Sequence, residues 1–157
     1  MKNCILYTTK HGSTEKTAKM LKEKLHAQTD LINLMHKSDP DISIYDTIIL
    51  GASIYIGKIQ KKMVKFIDNN LKVLLKKNIA LYILAGEKDK PEDTLHKAYP
   101  ETLLYHSFSK GYFGYEMILD KMNFLEKTAM KAMKITENKS EILEDAIQKM
   151  ANEINKL

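Results

Sequence analysis

The chain contains no tryptophan, no arginine and only one cysteine among its 157 residues. Each absence removes a class of chemistry. A lone Cys4 supports neither a disulfide framework nor a thiolate metal site, and a reduced cytoplasm suits it best. All 25 basic residues are lysine, so there is no planar fork to grip a carboxylate, a phosphate or a guanine in two places. No apolar run approaches the ~18 residues that a membrane-spanning helix requires. Met1 leads directly into strand and loop chemistry, not into the charged, apolar and small-residue order of a signal peptide. Internal repeats, low-complexity tracts and linkers are also lacking, so the expectation is one domain over residues 1–157.

What remains is an ordinary globular composition, 44% hydrophobic and 29% charged, with a net charge of +5. The first fifteen residues are the most informative. Asn3 to Tyr7 reads as a buried strand, and Thr8 to Thr14 is a hydroxyl-rich loop around Gly12. A helix is expected from Ser13 to Gln28, on the spacing of Ala18, Leu21 and Leu25. A strand running through such a loop into a helix start gathers backbone N–H groups and the positive helix end at one spot, which suits a phosphate. Threonine and serine hydroxyls add donors to the same oxygens.

Further along, Asp30 to Met35 reads as a short strand and Thr47 to Ala52 as a central one buried on both faces. Lys61 to Leu75 is expected to be helical, with Met63, Phe66, Ile67 and Leu71 as its apolar stripe. Ile79 to Ala85 is a further strand. Pro91 to Ala98 forms a short helix that Pro100 stops. A strand over Lys110 to Tyr115 precedes two closing helices, Glu116 to Lys134 and Lys139 to Lys156, the second capped by Asn138 and Glu141. In the first, Ile118, Met122, Leu125, Ala129 and Met133 form one stripe expected to pack on the sheet. Strands alternating with helices imply right-handed crossovers and a parallel sheet, hence an α/β three-layer sandwich. Ligands in such a sheet sit beyond the carboxyl ends of the strands. The loops at those ends are Thr8–Thr14, Ser53–Lys58 and Gly86–Lys90, all small or polar.

On Thr9-Lys10-His11-Gly12-Ser13-Thr14, Gly51-Ala52-Ser53 and the order of elements, the chain resembles the flavodoxin family over nearly its whole length. Tyr45-Asp46, Gly51-Ala52-Ser53-Ile54 with Gly57, and Gly111 to Tyr115 leading into a Met- and Lys-rich stretch resemble the flavodoxin-type, quinone-linked protoporphyrinogen oxidases of bacteria. The resemblance implies a flavodoxin-like five-stranded parallel sheet of order 2-1-3-4-5, and non-covalent FMN. The FMN phosphate is then expected on Thr9, Lys10, His11, Gly12, Ser13 and Thr14, with Lys10 adding charge attraction. The ring is expected between Ser53, Ile54, Tyr55, Ile56 and Gly57 on one side and Ala85, Gly86 and Glu87 on the other. The flavin carries the redox chemistry, so no catalytic side chain is demanded. The implied reaction passes electrons from a porphyrinogen through FMN to a quinone or another acceptor. The alternative is a non-enzymatic electron carrier serving another redox enzyme. Ordinary flavodoxins are acidic and cover the ring with Trp and Tyr. Here the chain is basic, and Tyr55 is the only aromatic in the ring-lining loops, which suits direct contact with a substrate.

Other features have plainer readings. His36, His96 and His106 lack metal spacing and are expected at the surface, and Cys4 in the core. Lys58 to Lys77 holds seven lysines against Asp68, which reads first as a solvated helix face. Together with the Met-rich segment after Tyr115, it also fits an anionic membrane surface or substrate carboxylates, so peripheral contact with the inner face of a membrane joins the cytoplasmic expectation. A phospho-receiver is excluded because Tyr7-Thr8-Thr9 and Gly51 stand where its acids would be. A dinucleotide site lacks Gly-x-Gly-x-x-Gly. Nucleic-acid binding has only net charge in its favour.

Overall fold

The computed structural model describes residues 1–54, 58–86 and 90–157. Five parallel strands, β1 (Lys2–Tyr7), β2 (Gln28–Asn33), β3 (Thr47–Ser53), β4 (Asn78–Leu84) and β5 (Ser109–Tyr112), form a sheet in the order β2-β1-β3-β4-β5. That is the expected order. β3 and β4 pair from Thr47–Asn78 through to Ser53–Leu84, so their carboxyl ends finish level beside the end of β1.

The central strands are apolar on both faces because helices cover both. Cys4, Leu6, Ile48, Leu50, Ile79, Leu81 and Ile83 point to one side. There they meet α2 (Lys61–Leu74), α3 (Pro91–Ala98) and α4 (Glu101–His106) through Met63, Phe66, Ile67, Leu95 and Leu103. The intervening residues Ile5, Tyr7, Ile49, Ala80, Tyr82 and Leu84 point to the other side. They pack on α1 (Ser13–Glu23) and α6 (Glu144–Ile154) through Ala18, Leu21, Ile147, Met150 and Ile154. The period of two along each strand is thus shared between two cores. Cys4 is fully buried, and burial, with the charge of Asp30 adding to it, pushes its thiol up to about 12.

One expectation about helix ends is corrected and another is extended. α1 stops at Glu23, short of Gln28. Asn155 closes it there: its Nδ2 donates to the Lys24 carbonyl at 2.9 Å and its Oδ1 accepts from the His26 N–H at 3.0 Å. β2 then begins at Gln28, beside Lys2. Pro100 ends α3 as expected, but it also opens α4, its carbonyl accepting from the N–H groups of Leu103 and Leu104.

The larger correction concerns residues 113–143. The expected strand Lys110–Tyr115 divides at Phe113. Gly114, at φ +83°, turns the chain out of the main sheet into β6 (Gly114–Met117). A 3-10 turn (Leu119–Lys121), α5 (Phe124–Ala132) and β7 (Lys139–Ile142) follow, and β7 pairs antiparallel with β6. A long helix from Glu116 is therefore absent, because Asn123 starts a new one. Its Oδ1 accepts from the Glu126 N–H, and the Glu126 carboxylate accepts from the Asn123 N–H, each at 2.9 Å. Asn138 caps no helix; its Oδ1 accepts from the Leu119 N–H at 2.8 Å. The supposed stripe is broken too. Met122 is buried, whereas Leu125 is 77% and Met133 65% exposed.

Candidate functional site

The first loop is built as its residue types demand. Gly12 caps α1 at φ +93°, a left-handed value that favours glycine. Its N–H donates to Thr9 Oγ1 at 2.9 Å and its carbonyl accepts from the Lys16 N–H at 3.0 Å. Thr9 therefore shapes the loop from inside. Ser13 points elsewhere: its Oγ donates to the Glu116 carbonyl at 3.3 Å. Thr14 is different. Its Oγ1 is buried and has no hydrogen-bond partner among the described residues. An orphaned hydroxyl in the first turn of a helix, where the N–H groups are unsatisfied by the helix itself, is the donor set a phosphate oxygen requires.

The neighbouring loops are tied to this one. Thr8 Oγ1 donates to Gln60 Oε1 at 2.7 Å, and Gln60 Nε2 donates to Ser53 Oγ at 3.0 Å. The Ile54 N–H donates to the Leu84 carbonyl at 2.8 Å, which joins the second loop to the third. Ala85 is held twice: its N–H donates to the Gly114 carbonyl at 3.0 Å, and its carbonyl accepts from Tyr112 Oη at 2.7 Å. Gly86 is exposed, and a Cβ on it would meet no atom of the described residues within 4 Å. Ser53, Ile54, Ala85 and Gly86 thus sit at the ends of adjacent strands, beside Thr9 to Thr14. Tyr55, Ile56, Gly57 and Glu87 lie outside the described residues.

The excursion 114–142 reaches the first loop, although none of its residues is among those expected to hold FMN. Lys121 Nζ donates to the His11 carbonyl at 3.2 Å and lies 3.4 Å from where a Cβ on Gly12 would stand. Lys10 forms an ion pair with Glu126, whose carboxylate also lies 3.5 Å from His11 Nε2. Lys16 Nζ reaches Glu116 Oε1 at 2.7 Å. Lys10 is therefore held by a carboxylate, and Lys121 adds a second cation at the loop. The Asn-x-x-Glu pattern at Asn123–Glu126 was the available signal for a helix start here, though not for where that helix docks. Gln60 gave no local signal. His36, His96 and His106 are exposed, and no three-residue metal cluster occurs among the described residues.

The loop fits the phosphate end of FMN on its own chemistry: an orphaned Thr14 hydroxyl, a glycine-turned helix start and flanking lysines. Comparison with known proteins agrees. A model of the flavodoxin domain matches residues 4–142. The protoporphyrinogen IX dehydrogenase [quinone] of Escherichia coli is 30% identical over 108 residues, which cover 67% of this chain and 58% of that protein. The chain spans about half the length of the curated relatives it matches. Among solved structures, oxidised flavodoxin 1 of Bacillus cereus superposes with a TM-score of 0.62 at 18% identity, covering 99% of this chain and 98% of that one. The Fusobacterium nucleatum flavodoxin bound to flavin mononucleotide gives 0.56 at 14%, covering 99% and 97%. A domain match over most of the chain, with the 2-1-3-4-5 sheet, makes this chain a member of the flavodoxin family, whose cofactor is FMN.

Proposed function

We propose that the protein is an FMN-dependent oxidoreductase that takes hydrogen from a porphyrinogen and passes the electrons to a quinone or another acceptor. The porphyrinogen loses six hydrogens, four from its bridging carbons and two from pyrrole nitrogens, in three two-electron steps, and three quinones take them up as quinols, so the exchange balances without a further reagent. The observation that carries the substrate class is the similarity to the E. coli protoporphyrinogen IX dehydrogenase. The geometry supports the redox part, with three linked loops at the carboxyl ends of β1, β3 and β4.

Bound FMN supplies the electron chemistry. The chain's own residues hold and orient it. Thr14 Oγ1 would donate to the phosphate and the first-turn N–H groups of α1 would share its charge, while the Thr8–Gln60–Ser53 bonds tie the loop after β1 to the loop after β3. Ser53, Ile54, Ala85 and Gly86 carry no bulky aromatic that would close the ring against a substrate.

The test is porphyrin fluorescence developed from protoporphyrinogen by the FMN-loaded protein, with a water-soluble quinone and without oxygen. Acceleration over free FMN is the expected result. No acceleration, with rapid electron exchange to a flavodoxin reductase instead, overturns this reading in favour of an electron carrier.

A further inference from the structure

α5 is an amphipathic helix turned inside out. On the side facing the body it presents Glu126, buried against Lys10 and His11, and the half-buried Met130. The opposite arc carries Phe124, Leu125, Thr128 and Ala132, which at 100° per residue share one half of the helix surface. Phe124 is 82% exposed and Leu125 77%. The C-cap Met133, 65% exposed, stands past the end of the helix. A helix that docks through a charged residue and leaves its large apolar side chains in water has an apolar face built to meet something else.

Packing of that face is not what forms the helix. The Asn123–Glu126 capping box starts it. The Ile135 N–H reaching the Met130 carbonyl at 2.9 Å, with Lys134 at φ +59°, ends it. The arc is thus presented ready-formed.

The charge beside it indicates what covers it. Lys127 and Lys131 border the arc beside Phe124 and Lys134 follows at the helix end, and the acids of the same stretch are Asp120, Glu137 and the already paired Glu126. We propose that α5 docks on the surface of an anionic lipid bilayer. Phe124 and Leu125 enter the headgroup boundary, and the flanking lysines lie against the lipid charge. A face on a helix of 9 residues offers far less than the ~800 Å² per partner of a stable protein interface. A shallow apolar wedge with lysines around it suits a lipid surface, where apolar entry and charge attraction add. The proposal stands on α5 alone and does not depend on the redox reading.

The test is co-sedimentation of the full FMN-loaded chain with vesicles of phosphatidylcholine containing one part in three phosphatidylglycerol, against phosphatidylcholine alone. Anionic vesicles are expected to bind on the order of tenfold more tightly, less so at high salt. The double variant Phe124→Ser/Leu125→Ser is expected to lose about tenfold in vesicle affinity while keeping its FMN affinity and melting curve. Ala132→Glu, seven residues after Leu125 and at the far end of the helix, checks the same face should that pair disturb the helix start. Lys131→Gln/Lys134→Gln is expected to weaken binding and flatten its salt dependence. Equal binding to both vesicle types, or undiminished binding by the apolar variants, overturns the proposal. So does a dimer in sedimentation velocity that needs Phe124 and Leu125 and ignores vesicles, which would assign the face to a second copy. Failure of the porphyrinogen assay leaves each of these outcomes unchanged.

Discussion

Lys10 of the loop after β1 and Glu126 of α5 are 116 residues apart in the chain and form an ion pair in the fold. Glu126 thereby places a negative charge beside a loop suited to a dianion. Removing that charge while keeping the shape is expected to help FMN. Glu126→Gln should tighten FMN severalfold at low ionic strength, an effect that shrinks with added salt. Riboflavin, which has no phosphate, should bind unchanged. Flavin fluorescence quenching measures both, and equal effects on the two ligands would remove the phosphate from the explanation.

Thr14 gives a prediction with opposite signs for apoprotein and complex. Its buried hydroxyl has no partner among the described residues, so the apoprotein carries an unsatisfied group. Thr14→Val keeps the volume and removes that group, and should stabilise the apoprotein by roughly 1 kcal/mol in urea unfolding. The same change should weaken FMN on the order of tenfold, because a hydrogen bond to a charged phosphate is lost. A Thr14→Val protein that binds FMN like the parent would place the phosphate elsewhere.

Glu116 links pH to the docking of the excursion. Burial alone would raise its carboxyl; hydrogen bonds from Lys16 and Ser140, helped by the charges of Lys16 and Lys121, hold it below the ordinary carboxylate value instead. The folded protein therefore binds the proton more weakly than the unfolded chain does. Its contribution is fully present above the ordinary carboxylate value and is lost as pH falls through the lowered one. Stability should drop on acidification below about pH 4.5, and Glu116→Gln should make that limb shallower by no more than about 1 kcal/mol. Urea midpoints between about pH 3 and pH 6 decide it; an unchanged acid limb in Glu116→Gln would show that other carboxylates carry the effect.

Gly51 and Tyr82 test the core beneath the site. A Cβ on Gly51 would lie 2.1 Å from Tyr82 Cζ. That ring is fully buried and stacked on Phe113 at 4.4 Å between centroids. Gly51→Ala should therefore destabilise by about 1–3 kcal/mol, the usual cost of overpacking. Adding Tyr82→Leu should recover part of that loss, a coupling that thermal melts of the double-mutant cycle would reveal.

The sheet was legible because its signals are local and strong. Ile48-Ile49-Leu50 and Ile79 to Leu84 are apolar on both faces, and Thr8 to Thr14 carries its turn glycine and its helix start within a few residues. The excursion was not. Its Met, Leu and Ile positions fit a helical period from Glu116 onward, and only the Asn123–Glu126 box inside that run marks the break. β7 reads Lys-Ser-Glu-Ile, which has no apolar alternation, and it is a strand because β6 pairs with it. The site's outer partners were hidden for a related reason. Gln60, Lys121 and Glu126 reach the first loop across 52, 110 and 116 residues of chain, and no local pattern encodes such distances.

The place where the excursion leaves and rejoins the sheet has a consequence for engineering. Phe113 and Leu143 flank it, and the Leu143 N–H donates to the Phe113 carbonyl at 3.1 Å. Its two ends therefore meet, and the left-handed Gly114 makes the exit turn. Residues 114–142 form a cassette hung from a closed doorway. A short turn in its place leaves the five strands and the buried residues of both cores, taking Ile142 from the packed edge of one, and the cassette itself could be exchanged or transplanted without re-registering the sheet.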